Sequence, residues 1–477
     1  MSISHHGIII KEALAGEVGT GGAPMGVVGL VGTAPNFLAS AKPTGKPALI
    51  TSDRGAASFG PELPGYTIPS ALKSVLRYGS ARIVVIDVFE PERHSESVAN
   101  EAITLDDRGE AALANVGIIS AELAYNGNAL VEGTDYRLDR AWGIISRIKT
   151  GALPPKASLT ATYEYGDPSK VTNAEIVGAI DDAGLRTGIE ALVDADSLFG
   201  FAPRRLIAPG YCTAQSVQQA LIAVADKLGA IAYLDVPVGA SVQQVLEGRG
   251  ENGAINLGAS SQRAVWCYPH VKVPDPRTEE HVLQPASQHV CGLAVYVEAA
   301  KGYHHSPSNH ELLGVVDIET PVQWSIDDPN CEANLLNDAG ITTIIRPYGA
   351  GYTLWGNRSA AWPTERHPVS FVVIRVVADR VRAMVLQLLR PYIDRPLNAA
   401  TLNSAKANVQ AALDVEVQRG ALTGASFTWS PEDNPHSELA LGNAVFELSF
   451  MGPPPWNKAE VNLVIDTKWL KETQGAV

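Results

Sequence analysis

Two stretches of this 477-residue sequence come close to motifs that bind zinc or phosphate, and each lacks a defining residue. His310 and Glu311 begin the pattern of a zinc-binding HExxH helix, but Gly314 stands where the second histidine is required. The segment PTGKPAL resembles the end of a phosphate-binding loop, but Pro47 stands where serine or threonine would bind magnesium. The sequence therefore predicts no metal site and no cofactor.

Candidate catalytic side chains occur singly, without partners in a recognisable motif. Asp87 and Asp235 end apolar runs, a position where α/β enzymes hold catalytic groups, although capping or ion pairing is the favoured interpretation. Cys267 would be a nucleophile only with a histidine beside it, and a buried thiol is the alternative. Because the sequence contains no GxSxG elbow and no triad context, we predict that the protein is not an enzyme.

Composition excludes several classes of function. The formal net charge of −14 argues against direct binding of nucleic acid, which needs a cationic surface. No apolar run approaches the roughly 20 residues that span a bilayer, and the N-terminus lacks the pattern of a signal peptide. The four cysteines contain no CxxC pair, which favours reduced thiols in a cytoplasmic protein: Cys212, Cys267, Cys291 and Cys331.

The elements that position these residues follow an α/β pattern that is interrupted once. MGVVGLVG and RIVVIDV are apolar runs of strand length, and TIPSALKSVLRYG is an amphipathic helix between them. From about residue 93 to residue 168 the pattern changes to β hairpins, in which ASLTATYEY alternates strictly between apolar and polar residues. Strand and helix then alternate again, with Thr213 as the expected N-cap and Gly229 as the C-cap of one helix. This order predicts a mostly parallel sheet covered by helices.

The C-terminal part differs from the α/β region. FVVIRVVADRVRAMVLQLL has helical spacing, although its first part could be a strand, and LNSAKANVQAALDVEVQRGAL is a second helix. NAVFELSFMG reads as a strand, and AEVNLVIDTKWL as another that follows the stiff spacer GPPPWNK. The N-terminal run HHGIIIKEAL precedes a glycine-rich hinge, so both ends resemble arms.

We therefore predict an α/β core with a mostly parallel sheet, a small inserted β domain, and an α+β C-terminal domain with extended strand arms at both ends. The boundaries are 1–20 for the N-terminal arm, 21–92 and 173–365 for the core, 93–172 for the inserted domain, 366–455 for the C-terminal domain and 456–477 for the C-terminal arm.

An ordered set of segments resembles the contractile bacteriophage tail sheath family. WGNR, which follows IIRPYGAGYTL, is similar to the family's signature segment, although Ser359 replaces the usual threonine after it. HHGIIIKE resembles the N-terminal arm, KPALITSDRGAASFG an early core segment, and VNLVIDTKWL the terminal strand. The inserted region and the segment from RRLIAPG to AYLDVP also resemble their counterparts, so that the likeness covers nearly the whole chain.

The resemblance implies a structural machine with a subtilisin-like core that has no protease site. Its subunits would form hexameric rings, stacked as a helical sheath around an inner tail tube protein, with baseplate and tail terminator proteins at the ends. The inserted β domain, residues 93–172, would lie on the outer surface of this sheath. Contraction would drive the tube through the host envelope for genome ejection, so that the sheath meets a membrane only indirectly. The location would be the tail sheath of the virion, assembled in the host bacterial cytoplasm.

The resemblance also assigns roles to individual residues. The arms would donate strands to neighbouring subunits through Ile8, Ile9, Ile10, Val461, Leu463, Ile465 and Trp469. Trp355, Gly356, Asn357 and Arg358 would form a structural corner, in which Trp355 anchors a hairpin and Asn357 and Arg358 bind backbone groups or carboxylates. Arg375, Arg380 and Arg382 could face the inner tube, although a solvated helix face with local ion pairs is the favoured interpretation.

Three alternatives stay open. One is the sheath of a related contractile injection system, such as a tailocin or a type VI-like apparatus. Another is a hydrolase on a subtilisin-like fold, which would need a Ser–His–Asp cluster in three dimensions. The third is a carbohydrate-binding protein that uses the inserted β domain.

Overall fold

The first described elements are buried apolar strands and one amphipathic helix. The computed structural model describes residues 26–39, 45–79, 81–250, 253–275, 277–278 and 280–466. The elements up to residue 87 are β1 (Val27–Gly32), β2 (Ala48–Ile50), α1 (Asp53–Ala56), α2 (Ile68–Leu76) and β3 (Arg82–Asp87). Every residue of β1 is buried, as a strand covered on both faces requires.

Residues 95–166 form two small antiparallel sheets around a core of their own. Their strands are β4 (Ser95–Thr104), β5 (Glu110–Ala112), β6 (Ile118–Tyr125), β7 (Asn128–Ala129), β8 (Tyr136–Asp139), β9 (Ile144–Arg147) and β10 (Ser158–Gly166), in the orders β4-β10-β6-β7 and β5-β9-β8. The predicted alternation in β10 is confirmed, since Leu159, Ala161 and Tyr163 are buried while Thr160 and Thr162 are exposed.

The α/β pattern then resumes, as predicted. The elements are α3 (Asn173–Val177), α4 (Ala195–Phe199), β11 (Arg205–Ile207), α5 (Gln215–Leu228), β12 (Ile231–Asp235), α6 (Val242–Gly248), β13 (Ala264–Cys267), β14 (Val271–Pro274), β15 (His281–Gln284), α7 (Ala286–Lys301), β16 (Asp317–Ile318), α8 (Glu332–Asp338), β17 (Ile341–Ile345) and β18 (Thr353–Trp355). The predicted hairpin of β17 and β18 is confirmed, and Trp355, the first residue of WGNR, is the last residue of β18.

Within the described residues, eight strands form the main sheet in the order β18-β17-β13-β12-β11-β1-β3-β2. Neighbours from β17 to β3 are parallel, and β18 and β2 are antiparallel, so the predicted mostly parallel sheet is confirmed. Alternate residues of β1 pack into two separate cores, with Val27 and Val31 on one face and Val28 and Leu30 on the other. Helix α5 covers the first face, and α2 and α7 cover the second.

The expected N-cap of α5 is wrong, whereas its C-cap is confirmed. The helix begins at Gln215 with Ala214 as its N-cap, because Thr213 belongs to a turn in which the Ala214 amide donates to the Tyr211 carbonyl at 3.1 Å. Gly229 ends the helix with φ +63°, the left-handed conformation that glycine adopts most readily.

The remaining elements pack around a further apolar cluster. They are α9 (Val372–Leu389), α10 (Ala399–Gln418), β19 (Gly424–Thr428), α11 (His436–Ala440) and β20 (Glu447–Met451), and the antiparallel pair β19–β20 covers the buried faces of α9 and α10. The start of α9 is helical from Val372, which settles the choice between strand and helix there. Among the helices that the structure describes, none is both long and apolar enough to cross a bilayer.

Candidate functional site

The WGNR segment, residues 355–358, lies where the edge strand of the main sheet ends. The outer side of β18 is already covered, because the Asn309 amide donates to the Leu354 carbonyl at 2.6 Å and the Leu354 amide to the His310 carbonyl at 2.9 Å. This edge therefore has no room for a strand from another chain. We call residues 355–358 the signature corner.

Trp355 and Gly356 fix the direction of the chain at the signature corner. Trp355 is half-buried and meets Trp324 edge to face, with ring centroids 5.8 Å apart. Gly356 has φ +139°, and a Cβ there would lie 2.5 Å from Asn337 Oδ1 and 2.9 Å from Thr342 Cα. The corner thus needs a glycine on both conformational and steric grounds.

Asn357 and Arg358 connect the corner to two other segments. Arg358 donates from Nη1 to Ser370 Oγ at 2.8 Å, and its guanidinium stacks 3.5 Å from the centre of the Phe371 ring. Asn357 donates from Nδ2 to Asn457 Oδ1 at 3.1 Å. The predicted backbone or carboxylate partners of these side chains are wrong, because a hydroxyl, an aromatic ring and an amide take their place.

Asn457 belongs to an exposed stretch that we call the terminal segment, residues 456–466. Trp456 is 86% exposed, and Val461, Leu463 and Ile465 are 84%, 81% and 89% exposed. The structure assigns no strand to this segment in the single chain, so the predicted inter-subunit strand stays a prediction. Three exposed apolar side chains at every second position, which share one face of an extended chain, are what a strand lacking its sheet would show. Trp469 and the N-terminal Ile8, Ile9 and Ile10 lie outside the described residues.

The outer edge of β20 is an open sheet edge in the part of the chain that the structure describes. Phe427 of β19 and Leu448 of β20 are opposite each other, and the Phe427 amide points away from β20, to Gln410. The pair is therefore of the non-hydrogen-bonded type, so the peptide groups of Leu448 point away from β19 as well. The same holds for Phe450, two residues further on. We call the outer edge of β20 the open edge.

The three arginines of α9 occupy different environments. Arg375 is 3% exposed and bonds Asp379 at 3.2 Å, so its predicted contact with a tube is wrong; the alternative's local ion pair is present, but on a buried face and not on a solvated one. Arg380 is half-buried, with its guanidinium 5.6 Å from the centre of the Tyr303 ring. Arg382 is half-buried and lines a polar cavity of about 590 Å³ together with Asp226 and Glu365. A contact with the tube is therefore still predicted only for Arg380 and Arg382.

The three single candidates for catalysis, Asp87, Asp235 and Cys267, are buried and contact groups within the fold. Asp87 is 2% exposed and accepts the amides of Ala34 and Phe89 at 3.1 and 3.0 Å. Asp235 is 1% exposed and accepts the Ser287 amide at 2.7 Å. Cys267 is fully buried, with its thiol 3.8 Å from its own strand's Val265 carbonyl. These contacts agree with the capping and buried-thiol interpretations.

One serine–histidine pair is present, and it is enclosed. Ser74 Oγ lies 3.3 Å from His289 Nε2, and the two residues are 3% and 0% exposed. Burial lowers the pKa of His289 to about 3, and its Nδ1 has no hydrogen-bond partner among the described residues. Without an acid on Nδ1 or access to solvent, this pair lacks the geometry of a hydrolase triad. The described residues also contain no cluster of histidine, cysteine, aspartate or glutamate that could hold a metal.

Sequence reasoning missed two residues of the site. Asn457 was read only as part of a spacer, and Gln410 only as part of a helix. Single polar residues in such settings carry no signal in the sequence, since their partners are 100 and 17 residues away.

Comparison with known proteins gives matches along the whole chain. The family model of the phage tail sheath protein central domain matches residues 184–360. The tail sheath protein of Burkholderia phage BcepMu is 41% identical over 474 residues, which cover 98% of each chain. A putative prophage major tail sheath protein of Pseudomonas aeruginosa strain UCBPP-PA14 is 30% identical and covers 82% of this chain and 93% of its own. The helical sheath of the anti-feeding prophage in the contracted state has the same fold, with a TM-score of 0.57, 17% identity and coverage of 98% of this chain and 100% of its own.

Proposed function

Because the chain belongs to the contractile phage tail sheath family, we propose that it is a sheath subunit that neighbouring copies hold by exchanging strands. The observation that supports the sheath role is the 41% identity to a tail sheath protein over 98% of both chains. The observation that supports strand exchange is an exposed segment with apolar side chains at positions 461, 463 and 465, on the same chain as an open sheet edge.

The terminal segment of one copy would pair with the open edge of another. Val461, Leu463 and Ile465 would face the side on which Leu448 is buried, and Asn462 would face solvent. Burying each of the three apolar side chains contributes about 1.5–3 kcal/mol, in addition to the main-chain hydrogen bonds. The three prolines before Trp456 stiffen the chain that leads into the terminal segment. The N-terminal strand around Ile8, Ile9 and Ile10 would make a second link.

The subunits would form hexameric rings that stack around an inner tail tube, with baseplate and terminator proteins at the ends. Contraction would then push the tube through the host envelope. No nucleotide is needed if the contracted lattice buries a few hundred more Å² of apolar surface per subunit, since that corresponds to several kcal/mol at roughly 25 cal/mol per Å². The sheath would be part of the virion tail, assembled in the host cytoplasm. The subtilisin-like description of the core and the domain boundaries given above are part of this proposal.

Deletion of either arm tests the strand exchange. Residues 453–466 contribute no side chain to the apolar clusters of the described chain, so removal of 456–477 should leave a folded, soluble subunit. The same is expected for removal of 1–19. Negative-stain electron microscopy should then show no long tubes, whereas the full chain at the same concentration forms them.

A pair of point variants provides the matched control. Leu463→Asp places a charge on the apolar face of the terminal segment, and Asn462→Asp places the same charge on its other face. Tubes should be lost with the first and kept with the second, at equal melting temperatures. Tubes of normal length from either deletion, or from Leu463→Asp, would contradict the proposed links.

In the alternative, a tailocin or type VI-like sheath, the subunits would interact in the same way. The two kinds of system differ in which genes lie next to the sheath gene. Neighbouring capsid and terminase genes would favour the phage.

A further inference from the structure

We propose that Gln410 closes the outer edge of β19, so that a strand from a second copy pairs only with β20. This inference rests on the proposed strand exchange and adds the residue that decides where the incoming strand binds. The sheet of the subunit would then grow in one direction only.

The side chain of Gln410 takes the place of a peptide group from a neighbouring strand. Its Oε1 accepts the Phe427 amide at 2.7 Å, and its Nε2 lies 3.3 Å from the Ala425 carbonyl, which accepts from it. An amide that bonds the N–H of one residue and the C=O two residues before it repeats the pattern of a parallel strand. The outward-facing peptide groups at the middle of β19 are therefore already occupied.

Two features fix the orientation of the Gln410 side chain: a hydrogen bond to Asp414 and the packing of α10 against β19. Asp414 Oδ1 accepts from Nε2 at 2.8 Å, one helical turn away, and a carboxylate can only accept, so the NH₂ group must face it. Val409 and Leu413 on the same helix are fully buried in the cluster that also contains Phe427 and Leu448. Packing therefore fixes α10 against β19 with Gln410 at the edge.

The opposite edge has no such residue. The peptide groups of Leu448 and Phe450 point outward from β20, and no side chain among the described residues bonds them. An added strand there continues the apolar face formed by Phe446, Leu448 and Phe450. The terminal segment of a second copy fits this edge, because Val461, Leu463 and Ile465 share one face of an extended chain about as long as β20 and are exposed in the single chain.

Disulfide trapping in assembled full-length protein tests this inference. Asn462→Cys or Val464→Cys on the terminal segment is combined with Ser449→Cys on β20 or with Ser426→Cys on β19. Ser426 and Ser449 are direct partners across the hairpin. A disulfide needs Cα atoms within about 7 Å, so it reaches the adjacent strand and not the next one. The four native cysteines are buried and do not compete.

With Gln410 present, inter-subunit disulfides should form at least tenfold more with Ser449→Cys than with Ser426→Cys. Gln410→Ala should raise the Ser426→Cys product and accelerate hydrogen exchange of the Phe427 amide, while Lys406→Ala on the exposed side of α10 should change neither. Equal products with both acceptors in the presence of Gln410 would overturn the inference and leave strand exchange intact. No product with either acceptor would contradict the hairpin as acceptor, and with it both proposals.

Discussion

Trp355 illustrates how a residue of the signature corner acts through packing and not through chemistry. It closes a small apolar cluster with Trp324, and Ile345 is buried beneath them. Trp355→Ala should lower the free energy of unfolding by about 2 kcal/mol, less than the 3–5 kcal/mol of a fully buried tryptophan because the side chain is only half-buried. Chemical denaturation of full-length subunits, at a concentration too low for assembly, measures this.

Trp456 serves as the control for that measurement, since it is 86% exposed in the same chain. Trp456→Ala in the full-length protein should leave the unfolding of unassembled subunits unchanged. An unaltered stability of Trp355→Ala would instead show that the corner tolerates loss of its anchor.

Asp87 makes stability depend on pH in a direction opposite to that of a salt-bridged carboxylate. Burial raises its pKa to about 7, in spite of the amides and the Asn36 side chain that donate to it. Between about pH 4 and pH 7 the folded state therefore holds a proton that the unfolded state has lost, so stability falls as the pH rises. Protonated Asp87 makes its full contribution to the free energy of unfolding below about pH 4 and loses it by about pH 7. The difference is roughly 4 kcal/mol.

Unfolding free energies measured from pH 4 to pH 8 should accordingly fall more steeply with Asp87 than with Asp87→Asn. The difference between the two profiles isolates this group from the other titrating residues. Parallel profiles would mean that Asp87 is ionised in the folded protein throughout this range.

At the scale of the element, two arginines of α9, Arg375 and Arg382, differ in burial and therefore in role. Arg375 is buried on Asp379, which Arg263 also contacts at 2.7 Å, and one carboxylate thereby joins two segments. Arg375 and Arg382 both line the polar cavity, but Arg382 is only half-buried, so it can still reach a partner. Helical spacing alone did not distinguish the two residues, because burial depends on what packs against each turn.

Arg382→Glu should therefore weaken co-assembly with the inner tube by tenfold or more and leave the melting temperature unchanged. Arg375→Glu should instead destabilise the subunit, because it places two carboxylates together in a buried site. Co-sedimentation with purified tube protein and thermal unfolding of each variant distinguish these results. Normal tube binding by Arg382→Glu would remove α9 from the tube interface.

At the scale of the whole molecule, the segment from Ser95 to Gly166 joins the rest of the chain at neighbouring ends, and it also packs against the core of the main sheet through Val116, Ala141 and Trp142. Ser95 and Gly166 are paired residues of β4 and β10, so their Cα atoms lie within about 5.5 Å. A short glycine turn can therefore replace residues 96–165. The remaining chain should fold and assemble into tubes of smaller outer diameter if this region faces outward, as predicted.

Cryo-electron microscopy of such tubes gives the measurement, and full-length tubes provide the reference. An unchanged outer diameter would show that the region lies elsewhere in the lattice. Binding of a glycan by the intact protein and not by the shortened one would revive the carbohydrate-binding alternative.

The sequence by itself determined the order of elements, because hydrophobic period and turn residues are local properties. It predicted the parallel sheet, the interrupting β region and the hairpin before WGNR, and it carried the resemblance to the tail sheath family. It failed where a residue's role depends on a distant partner. Arg375 pairs within the fold, Thr213 stays in a turn, and Asn357 meets Asn457 across 100 residues. Only the tertiary structure showed that the outer edge of β20 has no neighbouring strand among the described residues and that Gln410 bonds the outer edge of β19. The sequence could not show this, because an edge is defined by the residues that pack beside it.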